Sequence, residues 1–219
     1  KLVAINSVLD KKNNKADVHV DYDMPEVGAQ LTLTYNVMAD GSVRVTQQMT
    51  PKTGDKRPFL LRYGMVMQLP YDMQVSEFYG RGPIENYADR KLSQNVGIYK
   101  QTADEQFYPY IRPQETGTKS DIRWWKQTTD NGFGFKIVSP ELFSASALHY
   151  SIDDLDEGLD KAQRHSPQVP KSKYTELCID LGQTGVGGVN SWSNEAIALP
   201  PYRLPYKQYT FTFMLVPQK

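Results

Sequence analysis

The sequence predicts an all-β protein built from antiparallel strands. Several segments place apolar residues at every second position, the period at which a strand turns one face to a core and the other to solvent. Short runs are separated by glycine and proline, which number 15 and 14 in 219 residues. Helical spacing of apolar residues is scarce. We therefore expect a single β-sandwich domain over residues 1–219 with at most one or two short helices.

The alternating pattern is clearest in residues 31–37, where apolar side chains at odd positions flank threonine and asparagine. Asp40-Gly41 follows, a pair that tolerates the left-handed backbone of a tight turn, so a hairpin is predicted there. The alternating segments are residues 16–22, 31–37, 43–45, 61–69, 133–137, 177–181 and 209–215.

Two short helices are predicted. Residues 151–162 place Ile152, Leu155 and Leu159 at helical spacing, and Ser151 is a suitable N-cap. A helical turn is also expected to begin at Pro83, because proline suits the first helical position. Long loops are predicted at residues 79–91, 107–125 and 182–203.

Charge and cysteine content exclude several classes of function. Lys plus Arg and Asp plus Glu both number 25, so the net charge is zero, which argues against nucleic-acid binding. No apolar run reaches the roughly 18 residues of a membrane helix, so no membrane association is expected. A single cysteine, Cys178, rules out a disulfide framework, and no histidine or carboxylate spacing indicates a metal. Because Lys1 is neither Met nor part of a signal peptide, we expect a piece of a longer protein.

The first polar motif is residues 79–90, YGRGPIENYADR. Its glycines permit a tight backbone path and its proline fixes the exit. One interpretation is a rigid loop held by arginine–carboxylate pairs. The other is a loop that presents Arg81 or Glu85 to a polar ligand. Phosphate binding is disfavoured, because the glycine spacing is not that of a phosphate-binding loop.

A second motif joins residues 113–117, PQETG, to residues 121–125, DIRWW. Indoles close to Glu115 and Arg123 in the sequence are typical of a sugar-binding site. The apolar face of a sugar stacks on aromatic rings, and its hydroxyl groups form hydrogen bonds with planar charged side chains. Adjacent tryptophans in a strand face opposite ways, so at least one of Trp124 and Trp125 is expected in the core. His165 follows the predicted helix, and a lone histidine of this kind is more often structural than catalytic.

The third motif is residues 182–193, GQTGVGGVNSWS. Its closely spaced glycines predict an irregular loop that lifts Trp192 out of regular structure. A tryptophan in such a polar setting is difficult to explain as core packing, which favours a binding role.

These motifs, in this order, resemble the C-terminal domain of family 2 glycoside hydrolase β-galactosidases, domain 5 or the β-galactosidase small chain. The resemblance covers residue 60 to the end of the chain. It implies an antiparallel β-supersandwich similar to galactose mutarotase, which is not the catalytic domain of the parent enzyme. The two catalytic glutamates of the family lie in a barrel outside this chain. The resemblance places Trp192 against the sugar with Asn190 and Ser191 beside it, and implies that some N-terminal strands of the domain are missing.

The resemblance further implies a parent enzyme that hydrolyses terminal β-D-galactosides, while this chain alone is inactive. Its expected partners are a β-galactoside or other carbohydrate and the remaining domains of a parent that could be homo-oligomeric. No cofactor is expected here, and any Mg or Na belongs to other domains. The compartment stays open between bacterial cytoplasm and periplasm. A sugar-facing or structural polar cluster is expected to comprise Arg81, Glu85, Glu115, Arg123 and His165.

Two other functions are open. One is a free-standing aldose mutarotase, for which Glu115 and His165 are the candidate acid and base. The other is a non-enzymatic carbohydrate-binding module that uses Trp124, Trp125 or Trp192 as its platform.

Overall fold

Eleven antiparallel strands form one connected sheet in the computed structural model, which describes residues 1–55, 57–156, 158, 164–190 and 192–218. The strands are β1 (Leu2–Asp10), β2 (Lys15–Met24), β3 (Ala29–Val37), β4 (Val43–Pro51), β5 (Arg62–Pro70), β6 (Val75–Gly82), β7 (Asn95–Thr102), β8 (Lys119–Thr128), β9 (Gly134–Leu148), β10 (Tyr174–Gln183) and β11 (Tyr209–Gln218). Two four-residue helices are described, α1 (Ala103–Gln106) and α2 (Ile152–Leu155). No helix in the described ranges has the length and apolar character needed to cross a membrane.

The long strand β9 connects two parts of the sheet. The main order is β1-β2-β3-β4-β11-β9-β8-β6-β7, while β10 pairs with both β9 and β5. The first part of β9 pairs with β11, its last part pairs with β10, and β8 follows it along both parts. Residues of both parts contribute to one buried apolar cluster, so the two parts enclose a shared interior.

Aromatic side chains fill that interior. Phe78, Trp125, Phe211 and Phe213 are fully buried in one continuous apolar cluster. Tyr63 of β5 stacks on Tyr209 of β11 with ring centroids 5.2 Å apart, although those two strands are not hydrogen-bonded partners. This contact across unpaired strands is what a sandwich requires, so the all-β prediction is confirmed.

Each alternating segment of the sequence lies in a strand, except that β5 begins at Arg62 rather than at Leu61 and β9 begins at Gly134 rather than at Phe133. The hairpin at Asp40-Gly41 is also confirmed, because β3 and β4 are paired and Gly41 has a φ of 82°. The loop predictions were partly wrong. Residues 79–82 belong to β6, residues 119–125 to β8 and residues 182–183 to β10. There, cross-strand pairing overrides the glycine-rich and charged composition.

The helix predicted at Pro83 is wrong. The Gly82–Pro83 peptide is cis, and the Asn86 side chain donates to the carbonyls of Arg81 and Ile84. These carbonyls are therefore not bonded as in a helix. At the other predicted helix, Ser151 does cap α2 by accepting a hydrogen bond from the Asp154 amide at 3.0 Å.

The helix α2 is shorter than predicted. It ends at Leu155, because Asp156 has an extended backbone. The rest of the predicted segment falls largely outside the described residues, as residues 157 and 159–163 are not among them.

Candidate functional site

Trp192 lies on the loop after β10, and 85% of its surface is exposed. The Asn190 side chain organises the loop around it. Asn190 Oδ1 accepts hydrogen bonds from the amides of Trp192 at 3.1 Å and Ser193 at 2.9 Å. Asn190 Nδ2 donates to the Glu195 carboxylate at 3.1 Å. The indole is therefore exposed on a loop of defined shape. Ser191, the third residue predicted here, lies outside the described residues.

The loop closes tightly at Gly188. A Cβ at this position would lie 2.3 Å from the carbonyl oxygen of Glu195, which no side chain tolerates. The next amide, that of Val189, donates to the same oxygen at 2.8 Å. Glycine at 188 thus lets the two arms of the loop meet behind Trp192.

Glu85 is the centre of a polar network in the 79–90 motif. Its side chain is 5% exposed and accepts hydrogen bonds from the Gly117 amide at 2.7 Å and the Thr116 hydroxyl at 3.0 Å. Arg90 donates to it at 2.8 Å, and the Tyr110 hydroxyl makes a further short contact. Both carboxylate oxygens are bonded within the chain, so Glu85 fixes this motif to residues 110–117.

Glu115 belongs to a second network beside β5 and β10. It accepts hydrogen bonds from Thr118 at 2.8 Å and from Arg62 at 3.3 Å, and Arg62 also forms a short ion pair with Asp180. Burial raises the pKa of Glu115 and of Asp180, while the charge of Arg62 opposes the rise in both. Burial alone would lower the pKa of Arg62, but Asp180 raises it.

Tyr87 joins the two networks. Its hydroxyl lies 3.5 Å from Glu85 and 3.4 Å from Glu115, and its ring is buried. Burial raises the pKa of Tyr87, and the two carboxylates raise it further, so its hydroxyl is a neutral donor near neutral pH. Tyr87 thus brings together Glu85 and Glu115, two members of the predicted cluster.

Arg81 and Arg123 lie in a separate group around Asp121. Arg81 Nε donates to the Asp121 carboxylate at 2.6 Å, and Lys91 does so at 2.8 Å. Arg123 donates to the Asp121 carbonyl, and its guanidinium lies 5.3 Å from the centre of the Tyr79 ring. Burial would raise the pKa of Asp121, but the bonds from Lys91 and Arg81 outweigh it and lower the pKa. This group ties β6 to β8.

His165 is exposed, and its Nδ1 lies 3.0 Å from the carbonyl oxygen of Ile111. Among the described residues, no hydrogen bond joins it to Glu115, its proposed partner in a mutarotase. Of the two paired tryptophans, Trp125 is fully buried and Trp124 is half-buried on the outer face, as the strand argument predicted.

A cavity of about 240 Å³ connects the Glu115 network to the base of the tryptophan loop. Its walls are mixed in polarity and include Leu61, Arg62, Glu115, Leu148, Tyr150 and Val186. The cavity lies beside the start of the loop, at Thr184 and Gly185, rather than at Trp192 itself.

Sequence reasoning missed three residues of this region: Arg62, Asp180 and Lys119. Alternation placed Asp180 on the solvent face of its strand, yet β10 is buried on both faces. Lys119 is 1% exposed, and burial lowers its pKa to about 8.

Within the described ranges no group of acidic, histidine and cysteine side chains could hold a metal. Cys178 is a buried free thiol whose pKa burial raises to about 12.

The chain is similar in sequence to known proteins. The family model for the β-galactosidase small chain matches residues 2–215. A β-galactosidase from Priestia megaterium is 35% identical over 190 residues, which are 86% of this chain and 18% of that protein. The β-galactosidase BgaC of Bifidobacterium adolescentis is 32% identical over 182 residues, 82% of this chain and 17% of that protein. The chain therefore spans less than a fifth of the length of these curated relatives.

Solved structures show the same fold at low sequence identity. The galactosidase domain of an α-galactosidase–sucrose kinase superposes with a TM-score of 0.52 at 8% identity, covering 100% of this chain and 27% of that one. A GH36 α-galactosidase from Geobacillus stearothermophilus gives 0.50 at 8% identity, with the same coverage. These two support the sandwich architecture alone. With a family match over nearly the whole length, this chain belongs to the β-galactosidase small chain family.

Proposed function

We propose that this chain is the non-catalytic C-terminal domain of a β-galactosidase that hydrolyses terminal β-D-galactosides. The observation that carries the proposal is Trp192, 85% exposed on a loop that Asn190 fixes. A rigid exposed indole offers a flat apolar surface to the apolar face of a sugar ring. The relatives named β-galactosidases are more than five times longer than their match to this chain, which supports a contributing rather than a complete role.

In this proposal Trp192 binds and orients the sugar on the aglycone side, with Asn190 beside it and Ser191 as its neighbour in the sequence. The indole excludes water from one wall of the pocket and holds the glycosidic bond in position. The acid–base chemistry belongs to two carboxylates of the parent enzyme outside this chain. The bonding of Glu85 and Glu115 supports that division, since their oxygens are bonded within the chain.

The proposal is tested first with the purified chain and a chromogenic β-galactoside. We expect no release of chromophore above the buffer rate, because the chain supplies a binding surface without the catalytic pair. Turnover that follows the chain through purification and exceeds the buffer rate would refute a non-catalytic role.

The same exposed indole supports a second candidate, a carbohydrate-binding module that acts without a parent enzyme. The two functions differ in the affinity of the isolated chain for sugar. A stand-alone module must bind galactosides by itself, so titration would change the fluorescence of Trp192. If the chain instead forms one wall of a pocket shared with other domains, its Trp192 fluorescence should show no saturable change at millimolar sugar. The Trp192→Phe variant separates the Trp192 signal from Trp124 and Trp125.

A further inference from the structure

We infer that Asp89 is a positioning residue for Trp192, acting through the backbone of Gly187. Its effect on sugar binding rests on the proposed function, whereas its effect on the loop does not. Asp89 lies in the 79–90 motif, and Gly187 lies in the glycine-rich arm that leads to Trp192. The two motifs that identify the family are therefore in direct contact.

The contact is a single hydrogen bond between a carboxylate and a backbone amide. Asp89 Oδ2 accepts from the Gly187 amide at 2.7 Å, across 98 residues of sequence. The other oxygen, Oδ1, is buried and has no hydrogen-bond partner within the described part of the chain. Among the described residues, the hydrogen bond that the Asp89 side chain accepts thus comes from the tryptophan loop. A bond from a neutral amide to a charged acceptor is among the stronger ones in proteins.

Two glycines make this approach possible. A Cβ on Gly185 would lie 2.5 Å from Asp89 Cγ, and a Cβ on Gly187 would lie 3.3 Å from Asp89 Oδ2. With a larger residue at 185, the arm would have to move away from Asp89. The close approach of the Asp89 carboxylate therefore explains why residues 185 and 187 are glycines.

Asp89 is itself held on a rigid turn. The backbones of Tyr87 and Arg90 are paired, with the Arg90 amide 3.0 Å from the Tyr87 carbonyl. Just before them, Asn86 is fully buried and its Oδ1 accepts from the Ser120 amide at 3.0 Å. The turn that carries the Asp89 carboxylate is therefore bonded to β8. Through its bond to Gly187, the carboxylate holds the tryptophan loop in a fixed position relative to that strand.

Trp192 follows Gly187 by five residues, and the backbone at Val189 and Asn190 is also restrained. The Val189 amide is bonded to Glu195, and Asn190 binds the amides of Trp192 and Ser193. The tip of the loop is thus a small unit closed on itself. Its ascending arm is held by Asp89 at Gly187 and by the Gly185 amide, which donates to the Tyr202 carbonyl at 2.9 Å. Loss of the Asp89 bond would therefore loosen the arm between Gly185 and the tip.

Hydrogen exchange on the purified chain tests the contact. In Asp89→Ala we expect the Gly187 amide, and peptides covering residues 185–190, to exchange about tenfold faster, the equivalent of one lost charge-assisted bond. Asp89→Asn keeps a weaker, neutral acceptor and should fall between Asp89→Ala and the unchanged chain. Asp130→Ala, an exposed aspartate in the turn before β9, is the matched control and should leave these peptides unchanged.

Unchanged exchange at residues 185–190 in a folded Asp89→Ala variant would overturn the inference. If that variant does not fold, Asp89→Asn decides, because a neutral acceptor must still accelerate exchange at Gly187 several-fold. Normal exchange in Asp89→Asn would then be the contradicting result.

The consequence for sugar binding is tested in the full-length enzyme that contains this chain. Asp89→Ala should raise the KM for the aglycone or acceptor sugar about fivefold, with kcat changed much less, because positioning of a binding surface is lost. Combined with Trp192→Ala, it should add nothing further, since both changes remove the same contact. Additive effects would overturn positioning through Trp192. If Trp192→Ala itself has no effect while exchange responds to Asp89, the proposed function fails and the contact is confirmed.

Discussion

Asn190 shows how a single side chain sets the shape of an exposed loop. Its amide oxygen binds the Trp192 and Ser193 amides, and its amide nitrogen binds Glu195. An asparagine in this position replaces the backbone partners that an irregular loop lacks.

Asn190→Ala should therefore loosen the loop without unfolding the protein. We expect faster hydrogen exchange at Trp192 and Ser193, while the free energy of unfolding changes by less than about 1 kcal/mol, because the loop is exposed. Asn131→Ala, an exposed asparagine that bonds the Phe133 amide in the turn before β9, is the control and should leave exchange at Trp192 and Ser193 unchanged. A loss of several kcal/mol in Asn190→Ala would show that the loop is part of the folding core.

Lys119 predicts an unusual dependence of stability on pH. It is buried, its Nζ donates to the Gly117 carbonyl at 2.7 Å, and burial lowers its pKa from 10.5 to about 8. Between these values the unfolded chain binds a proton that the folded chain has released. The contribution of Lys119 to stability should therefore rise as the pH rises from about 8 to 10.5.

Denaturant unfolding of the unchanged chain and of Lys119→Met measures this contribution, because other titrating groups cancel in the difference. The stability difference should shift by roughly 3 kcal/mol in favour of the lysine over this pH range. The exposed Lys100→Met is the control and should show no such shift. A pH-independent difference for Lys119→Met would mean that the lysine keeps an ordinary pKa when folded.

At the level of elements, local pattern was a good guide where one face of a strand is buried. Residues 31–37 and 209–215 alternate cleanly and form β3 and β11. The strands β6 and β8 were mistaken in part for loops, because glycines, arginines and adjacent tryptophans hide the alternation. What makes them strands is pairing with each other and with β7 and β9, which no local pattern records.

The helix α1 was not predicted, since four residues are too few to show a helical period. Its signal is the capping box, in which the Glu105 amide bonds to Thr102 Oγ1 and the Thr102 amide bonds to the Glu105 carboxylate. The helix α1 places the Gln106 side chain in the interior. There Gln106 donates a hydrogen bond to the Ser76 hydroxyl and accepts one from the Ala147 amide.

Thr102→Ala should lower the free energy of unfolding by about 1 kcal/mol, the usual effect of losing an N-cap side chain. Thr102→Ser retains the hydroxyl and should stay close to the unchanged chain. Chemical denaturation of the three proteins measures this. Equal losses in both variants would indicate that the methyl group, rather than the cap, stabilises this region.

For the molecule as a whole, the candidate site was only partly visible in the sequence. Trp192 could be found, because a tryptophan among closely spaced glycines is locally anomalous. The partners of Glu85 could not, since Gly117 lies 32 residues away and only the folded sheet brings it near. The same holds for Asp89 and Gly187, which are joined only through tertiary structure. Charged residues of the first two motifs thus separated into three groups, around Glu85, Glu115 and Asp121.

The structure describes a sandwich whose polar networks hold two loops together and leave one indole exposed. The most direct test of this account uses the proposed full-length β-galactosidase. It compares the dependence on acceptor sugar in Trp192→Ala with that in Phe133→Ala, which changes an exposed aromatic side chain just before β9. We predict weaker acceptor binding by about 1–3 kcal/mol in Trp192→Ala, with hydrolysis of the galactosyl bond retained and Phe133→Ala unaffected. Identical acceptor dependence in the unchanged enzyme and in Trp192→Ala would contradict the account.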